Sequence, residues 1–172
     1  MSETKLPHTI DPVKFAEQRH YLKGSLSVAD MPRLMELCCS DSATARVHLW
    51  LEGGFDEKGP HYLRGCAEVD VILMCQRCLK PLNYHLVAEF SLSPVNDETA
   101  AKQLPSSYEP LYLDGESVDL SAMIEDELLL ALPIIPKHKD EGCAREIMKE
   151  KGLVGSGKKN PFAELSKLKK KD

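Results

Sequence analysis

Three stretches of strict two-residue alternation follow one another between residues 44 and 92, and they constrain the fold of this chain more than any other feature. In the first, Ala45, Val47, Leu49 and Leu51 alternate with Thr44, Arg46, His48 and Trp50. In the second, Leu63 to Met74, Ala67, Val69, Val71 and Leu73 share one face while Arg64, Glu68 and Asp70 take the other. In the third, Leu82, Tyr84, Leu86, Ala88, Phe90 and Leu92 alternate with Asn83, His85 and Glu89. Successive side chains of a strand point to opposite faces, so each stretch predicts a half-buried β-strand. The turn-rich GGFDEKGP and the short Cys75-to-Pro81 link between them predict hairpins, hence an antiparallel meander.

The flanks read as helices. Asp11 before Pro12 predicts an N-cap and first turn of a short helix to about His20. Tyr21 to Val28 alternates like a strand, and Asp30 is placed to cap a helix carrying Met31, Leu34, Met35 and Cys38. Residues 93–110 are polar and proline-punctuated, which predicts a loop with one helical turn near Thr99 to Gln103 and a short strand at Leu111 to Leu113. Asp119 caps a further helix through Leu120, Met123, Ile124, Leu128 and Ala131, stopped by Pro133. Its Glu125, Asp126 and Glu127 diverge by about 100° per residue, so they do not converge on a substrate and are expected on a solvated face. Beyond Pro136 no strong apolar pattern returns until Asn160-Pro161 opens a last helix with Phe162, Leu165 and Leu168 on one side. The expected class is therefore α+β: an antiparallel meander sheet with packed helices over residues 1–136, and a flexible, polar, basic tail over 137–172 ending in a short amphipathic helix.

Charge divides along the same boundary. Residues 137–172 carry 11 Lys+Arg against 6 Asp+Glu, a formal +5, whereas residues 1–136 carry 11 against 21, a formal −10. An acidic body repels a polyanion, so contact with nucleic acid is expected to be local and salt-sensitive: Arg77, Lys80 and the terminal Lys167, Lys169, Lys170 and Lys171 are its candidates. The longest apolar run, Leu128 to Ile135, is broken by Pro133 and is too short to span a bilayer. The N-terminal MSETKLPHTIDP has no apolar core of a secretory signal, so a cytoplasmic setting without membrane contact is expected.

In a reducing compartment a close cysteine pair points to metal or redox chemistry before a disulfide. Cys75-x-x-Cys78 falls at the hairpin link, where two thiolates can grip one Zn²⁺, but a closed site needs two more ligands. His138 and Cys143 are the available second pair and would complete a Cys₃His set, with Arg77 and Lys80 offsetting thiolate charge. A thioredoxin-like pair is the second alternative, although its strand-to-helix setting is missing. The third is plain turn or core cysteines, so absence of a cofactor is expected ahead of zinc. Cys38, Cys39 and Cys66 read as packing residues. His48, His61 and His85 read as surface residues. Gly152 to Lys159 imitates a phosphate-binding G-x4-G-K loop, but Lys159 stands where a Mg²⁺-binding hydroxyl belongs and no apolar strand precedes it. No nucleophile–base arrangement is visible, and no enzymatic activity is expected.

Taken in order, KLPHTIDP (5–12), CQRCLKP (75–81), FSLSPV (90–95), LPSSYEPLYL (104–113), DLSAMIEDELLLALPIIPKH (119–138) and NPFAELSKLKKK (160–171) make the chain resemble the bacterial YceD family, the large ribosomal RNA subunit accumulation proteins. The resemblance implies a non-enzymatic role in synthesis, processing or stability of 23S ribosomal RNA. It further implies partnership with that RNA or the precursor large subunit, directly or through a ribosomal protein or processing factor. A basic ribosomal protein would meet the acidic helix electrostatically. Relatives with a Cys-rich segment in place of HKDEGC imply an ancestral metal site opposite the hairpin pair. A zinc or redox module in another cytosolic pathway is the competing reading.

Overall fold

The computed structural model describes residues 6–56, 59–140, 142–150 and 152. In chain order the elements are β1 (Thr9–Ile10), α1 (Pro12–Glu17), β2 (Tyr21–Ser27), α2 (Pro32–Leu37), β3 (Arg46–Phe55), β4 (His61–Met74), β5 (Pro81–Val95), α3 (Glu98–Lys102), β6 (Glu109–Tyr112), β7 (Val118–Asp119), α4 (Leu120–Ala131) and α5 (Cys143–Glu150). Strands β2 to β6 form one sheet in sequence order, and β1 pairs with β7 in a second, two-stranded sheet. The α+β class and the meander stand as read from the alternation. β3 and β4 pair antiparallel from His48–Glu68 to Phe55–His61, and β4 and β5 from Leu63–Leu92 to Met74–Pro81. The inward set of that alternation, Val47, Leu49, Leu51, Leu63, Val69, Val71, Leu86 and Phe90, is buried with Phe15, Leu34, Ile124 and Leu128 from the covering helices. Among the described residues no helix is long and apolar enough to cross a membrane.

The strands run longer than the alternation alone indicates. β3 continues through Gly53 and Gly54, because α1 lies so close that a Cβ on Gly53 would stand 2.6 Å from the Phe15 carbonyl oxygen. β5 continues to Val95, where β6 adds in parallel from Leu92–Glu109 to Val95–Tyr112, so the meander gains a parallel edge. α5 stands in the tail beyond Pro136, where no helix is expected before Asn160. The expected last helix with Phe162, Leu165 and Leu168, the imitation phosphate loop beyond Gly152, and Lys167, Lys169, Lys170 and Lys171 lie outside the described residues.

Two expectations about local chemistry are corrected by packing. Asp11 caps α1 through a 3.0 Å bond from Lys14 N–H, and Asp119 caps α4 from Ala122 at 2.8 Å, both as read. Asp30, however, does not cap α2: it lies in a 3₁₀ turn, Met31 takes the N-cap position, and no Met31 side-chain bond closes it. The cap comes from α4 instead, where Glu125 Oε1 accepts the Leu34 N–H at 3.0 Å. Glu125 is therefore only 3% exposed rather than part of a solvated acidic face. Its Oε2 accepts from Arg33 Nε at 2.9 Å and pairs with Nη2 at 2.8 Å, while Asp126 takes Arg33 Nη1 at 2.6 Å.

Glu127, the third carboxylate, is half-buried on α4. Burial first, then the carboxylates of Glu109 and Asp126, push its pKa up from 4.5 to about 7. A carboxyl that binds its proton more tightly when folded stabilises the fold at low pH, and that contribution is lost as pH rises from about 4.5 through 7. Solvent screening of this partly exposed group reduces the effect to about 1 kcal/mol. Glu127→Gln is thus expected to raise the melting temperature by about 2–4 °C at pH 8 and by nothing at pH 4, measured by thermal denaturation at both values. Equal shifts at the two pH values would refute this electrostatic origin.

Candidate metal centre

The long β4–β5 hairpin projects its link to one end of the sheet. Cys75 N–H donates to the Lys80 carbonyl at 3.0 Å, and Leu79 N–H returns to the Cys75 carbonyl at 2.8 Å, closing a compact knuckle. Leu79 holds the left-handed region at φ 57°, a conformation that L-residues adopt at a cost of about 1 kcal/mol or more. The knuckle is tied to the segment leaving α4 through Gln76 N–H to the Pro136 carbonyl at 2.8 Å. Because α4 ends at Ala131 and the chain then turns along the hairpin tip, His138 arrives over Pro81 and Cys143 opens α5 beside Arg77.

One ligand atom from each of Cys75, Cys78, His138 and Cys143 falls in a group whose members all lie within 4.8 Å of one another. A tetrahedral Zn²⁺ set with metal–ligand bonds of about 2.0–2.3 Å has ligand atoms roughly 3.6–3.8 Å apart, so the group is close to that size. Cys75 and Cys78 are buried, at 0% and 1% exposure, and His138 and Cys143 half-buried. Cys78 Sγ stands 3.3 Å from His138 Nδ1. On the far side of the ring, His138 Nε2 lies 3.1 Å from the Pro81 carbonyl oxygen. A carbonyl only accepts, so Nε2 is the donor of this bond, which leaves Nδ1 as the ring atom that faces the thiols. That is the orientation a metal-bound histidine takes when an outer carbonyl fixes its tautomer.

The electrostatics favour deprotonated sulfur at one of the thiols. Burial raises the Cys75 pKa, but the backbone N–H groups of His138, Arg77 and Cys78 directed at its sulfur outweigh it and bring it from 9.0 down to about 5. Burial pushes the Cys78 thiol up, and the neighbouring Cys75 and Cys143 thiols add to this against the Lys80 N–H. The Cys78 thiol therefore ionises more readily beside a cation. Arg77 contributes in part: its Nη1 lies 3.9 Å from Cys143 Sγ and 3.3 Å from the Asp140 carbonyl oxygen. Four donors of Cys₃His composition within 4.8 Å of one another fit a closed structural site rather than a catalytic one with an open position.

The structure thus brings together all four residues read as ligands and places Arg77 Nη1 3.9 Å from Cys143 Sγ; Lys80 sits in the knuckle itself. Cys66 is buried and Cys38 and Cys39 half-buried, away from this group. The pair sits in a hairpin link and not at a helix N-terminus, which is not the thioredoxin arrangement. His48 and His85 are exposed, the latter paired with Asp70 at 2.8 Å. The accepting role of the Pro81 carbonyl is not visible in sequence, since a backbone oxygen leaves no side-chain signature.

Comparison with known proteins adds two findings. The family described as large ribosomal RNA subunit accumulation protein YceD matches residues 63–169. A Haemophilus influenzae protein named large ribosomal RNA subunit accumulation protein YceD is 37% identical over 179 residues, covering 99% of this chain and 100% of the relative. No solved structure matches the chain.

Proposed function

Since this chain belongs to the YceD family, we propose that it promotes accumulation of large-subunit ribosomal RNA, acting as a non-enzymatic factor on 23S RNA or the precursor large subunit. The observation that carries this reading is the match along 99% of the chain to a relative bearing that name. The geometry supports a binding role: among the described residues three thiols and an imidazole, enough donors for a closed four-ligand set, lie within 4.8 Å of one another. Cys75, Cys78, His138 and Cys143 would hold one Zn²⁺, which when bound supplies a cross-link and no reaction. The protein's own residues do the rest. His138 and Cys143 lay the start of the chain beyond α4 on the hairpin tip.

Sedimentation with ribosomal particles tests the reading. Full-length protein is expected to co-migrate with precursor large subunits at low salt and to be released as salt rises, because each displaced phosphate contact releases counterions. A chain ending at Gly157 is expected to bind more weakly with a shallower salt dependence. Both chains remaining at the top of the gradient at both salt concentrations would overturn it.

A further inference from the structure

The sheet's outer face, turned away from the helices and distant in sequence from the cysteine cluster, carries a cavity of about 430 Å³. It is lined by Trp50 of β3, Arg64 of β4, Glu89 and Ser91 of β5, and Glu109 of β6. The register explains the hollow. Trp50 pairs with Cys66, which pairs with Glu89, while Arg64 pairs with Ser91 on the next outward rung, so these side chains stand on the same face. The segment before β6 arches over it, pinned where Tyr108 stacks on Tyr62 at 6.0 Å and donates to Asp56 at 3.0 Å.

Three features of the cavity ask for a ligand. Ser91 Oγ is buried with no hydrogen-bond partner among the described residues, a costly state unless something else satisfies it. Arg64 Nη1 is 4.0 Å from Glu52, too long for a hydrogen bond, and the guanidinium is carried over the Tyr62 ring with half its side chain exposed. Trp50 offers a flat aromatic wall beside the Glu89 carboxylate in a body that is already acidic. An aromatic wall takes the face of a nucleobase, an arginine fork takes paired acceptors, and a carboxylate takes paired donors. Guanine presents N7 and O6 on one edge and N1–H and N2–H₂ on another, and among the four RNA bases it matches both groups at once.

We infer that this outer-face cavity receives a single unstacked guanine of an RNA strand, stacked on Trp50 with Arg64 on its N7/O6 edge and Glu89 on its N1/N2 edge. The inference rests on the RNA-related reading above and adds a base-reading site to it. It also explains how an acidic body tolerates RNA: the base, not the phosphates, enters the sheet face.

Trp50 is the sole tryptophan, so its fluorescence reports on this cavity directly. The full-length chain would be titrated with the single strands UUGUUU, UUAUUU and UUUUUU, which share the same phosphates. Saturable quenching about tenfold tighter for UUGUUU than for the other two is expected. Arg64→Ala, with an unchanged circular dichroism spectrum, is expected to weaken UUGUUU about tenfold, and Glu89→Gln to abolish the preference for it over UUAUUU. No saturable change, equal affinity for the three strands, or an unaltered titration with Arg64→Ala would overturn the inference. Sedimentation of the unaltered chain with precursor subunits separates the failures: particle binding without guanine preference removes this site alone, and loss of both removes the functional reading as well.

Discussion

Stripping the protein with a strong chelator is expected to lower its melting temperature by about 8–16 °C. A ligand that binds only the folded state, present at a thousand times its dissociation constant, stabilises by about 4 kcal/mol, and each kcal/mol moves the midpoint of a chain this size by about 2–4 °C. Cys75 and Cys78 belong to the hairpin tip, His138 and Cys143 to the chain beyond α4, so the ion would tie them together beside the Gln76–Pro136, His138–Pro81 and Arg77–Asp140 hydrogen bonds. Hydrogen exchange should accelerate most in residues 137–150 and hardly at all in β3 and β4, whose pairing does not involve the centre. Metal analysis of protein purified without added metal is expected to give one zinc per chain, none for Cys78→Ser, and one for Cys38→Ser, which leaves the cluster intact. Less than about a tenth of an equivalent in the unaltered chain, with a chelator-insensitive midpoint, would show that the four groups fold together without a metal.

Arg33→Ala is expected to lower the melting temperature by several degrees, because it leaves the Glu125 carboxylate, 3% exposed, without its half-exposed cation. An exposed ion pair would move it by a degree or two, and Lys102 with Glu98, both about four-fifths exposed, is the internal comparison. Glu125 differs because it is 3% exposed and serves two partners: Arg33, and the Leu34 N–H that begins α2. Replacing both charges, Arg33→Met with Glu125→Leu, should recover most of the loss but fall short by about 1–3 kcal/mol, the cost of leaving the Leu34 N–H uncapped. Full recovery in the double variant would show that the cap contributes nothing. A loss no larger than that of Lys102→Ala would show the pair to be a surface one.

These two sites differ in how far they can be read without coordinates. The CxxC spacing, its place between two alternating stretches, and the lone H-x4-C pair beyond the acidic helix suffice to name four ligands, because metal chemistry restricts the residue types so severely. Their convergence within 4.8 Å, the His138–Pro81 bond and the approach of Arg77 to Cys143 depend on how the chain leaves α4. Glu125 gives the opposite lesson. Its neighbours Asp126 and Glu127 make it look like part of a charged surface, and its partners lie 91 and 92 residues away. The outward cavity is equally hidden, since Trp50, Arg64, Glu89 and Ser91 obey the same alternation as any solvent-facing residue.

The sequence by itself determined the elements whose stability is local: the three alternating strands, the Asp11 and Asp119 caps, and the hairpin link that carries the cysteines. Period-two patterning and a capping side chain act within a few residues, so they are legible in order along the chain. Only the tertiary structure decided the parallel addition of β6, the pairing of β1 with β7, the cap of α2 by Glu125 and the closing of Cys75, Cys78, His138 and Cys143 into one group. Each of these joins residues far apart in sequence, where the free energy comes from desolvation and partner geometry after the sheet has formed, and no local pattern encodes which partner is met.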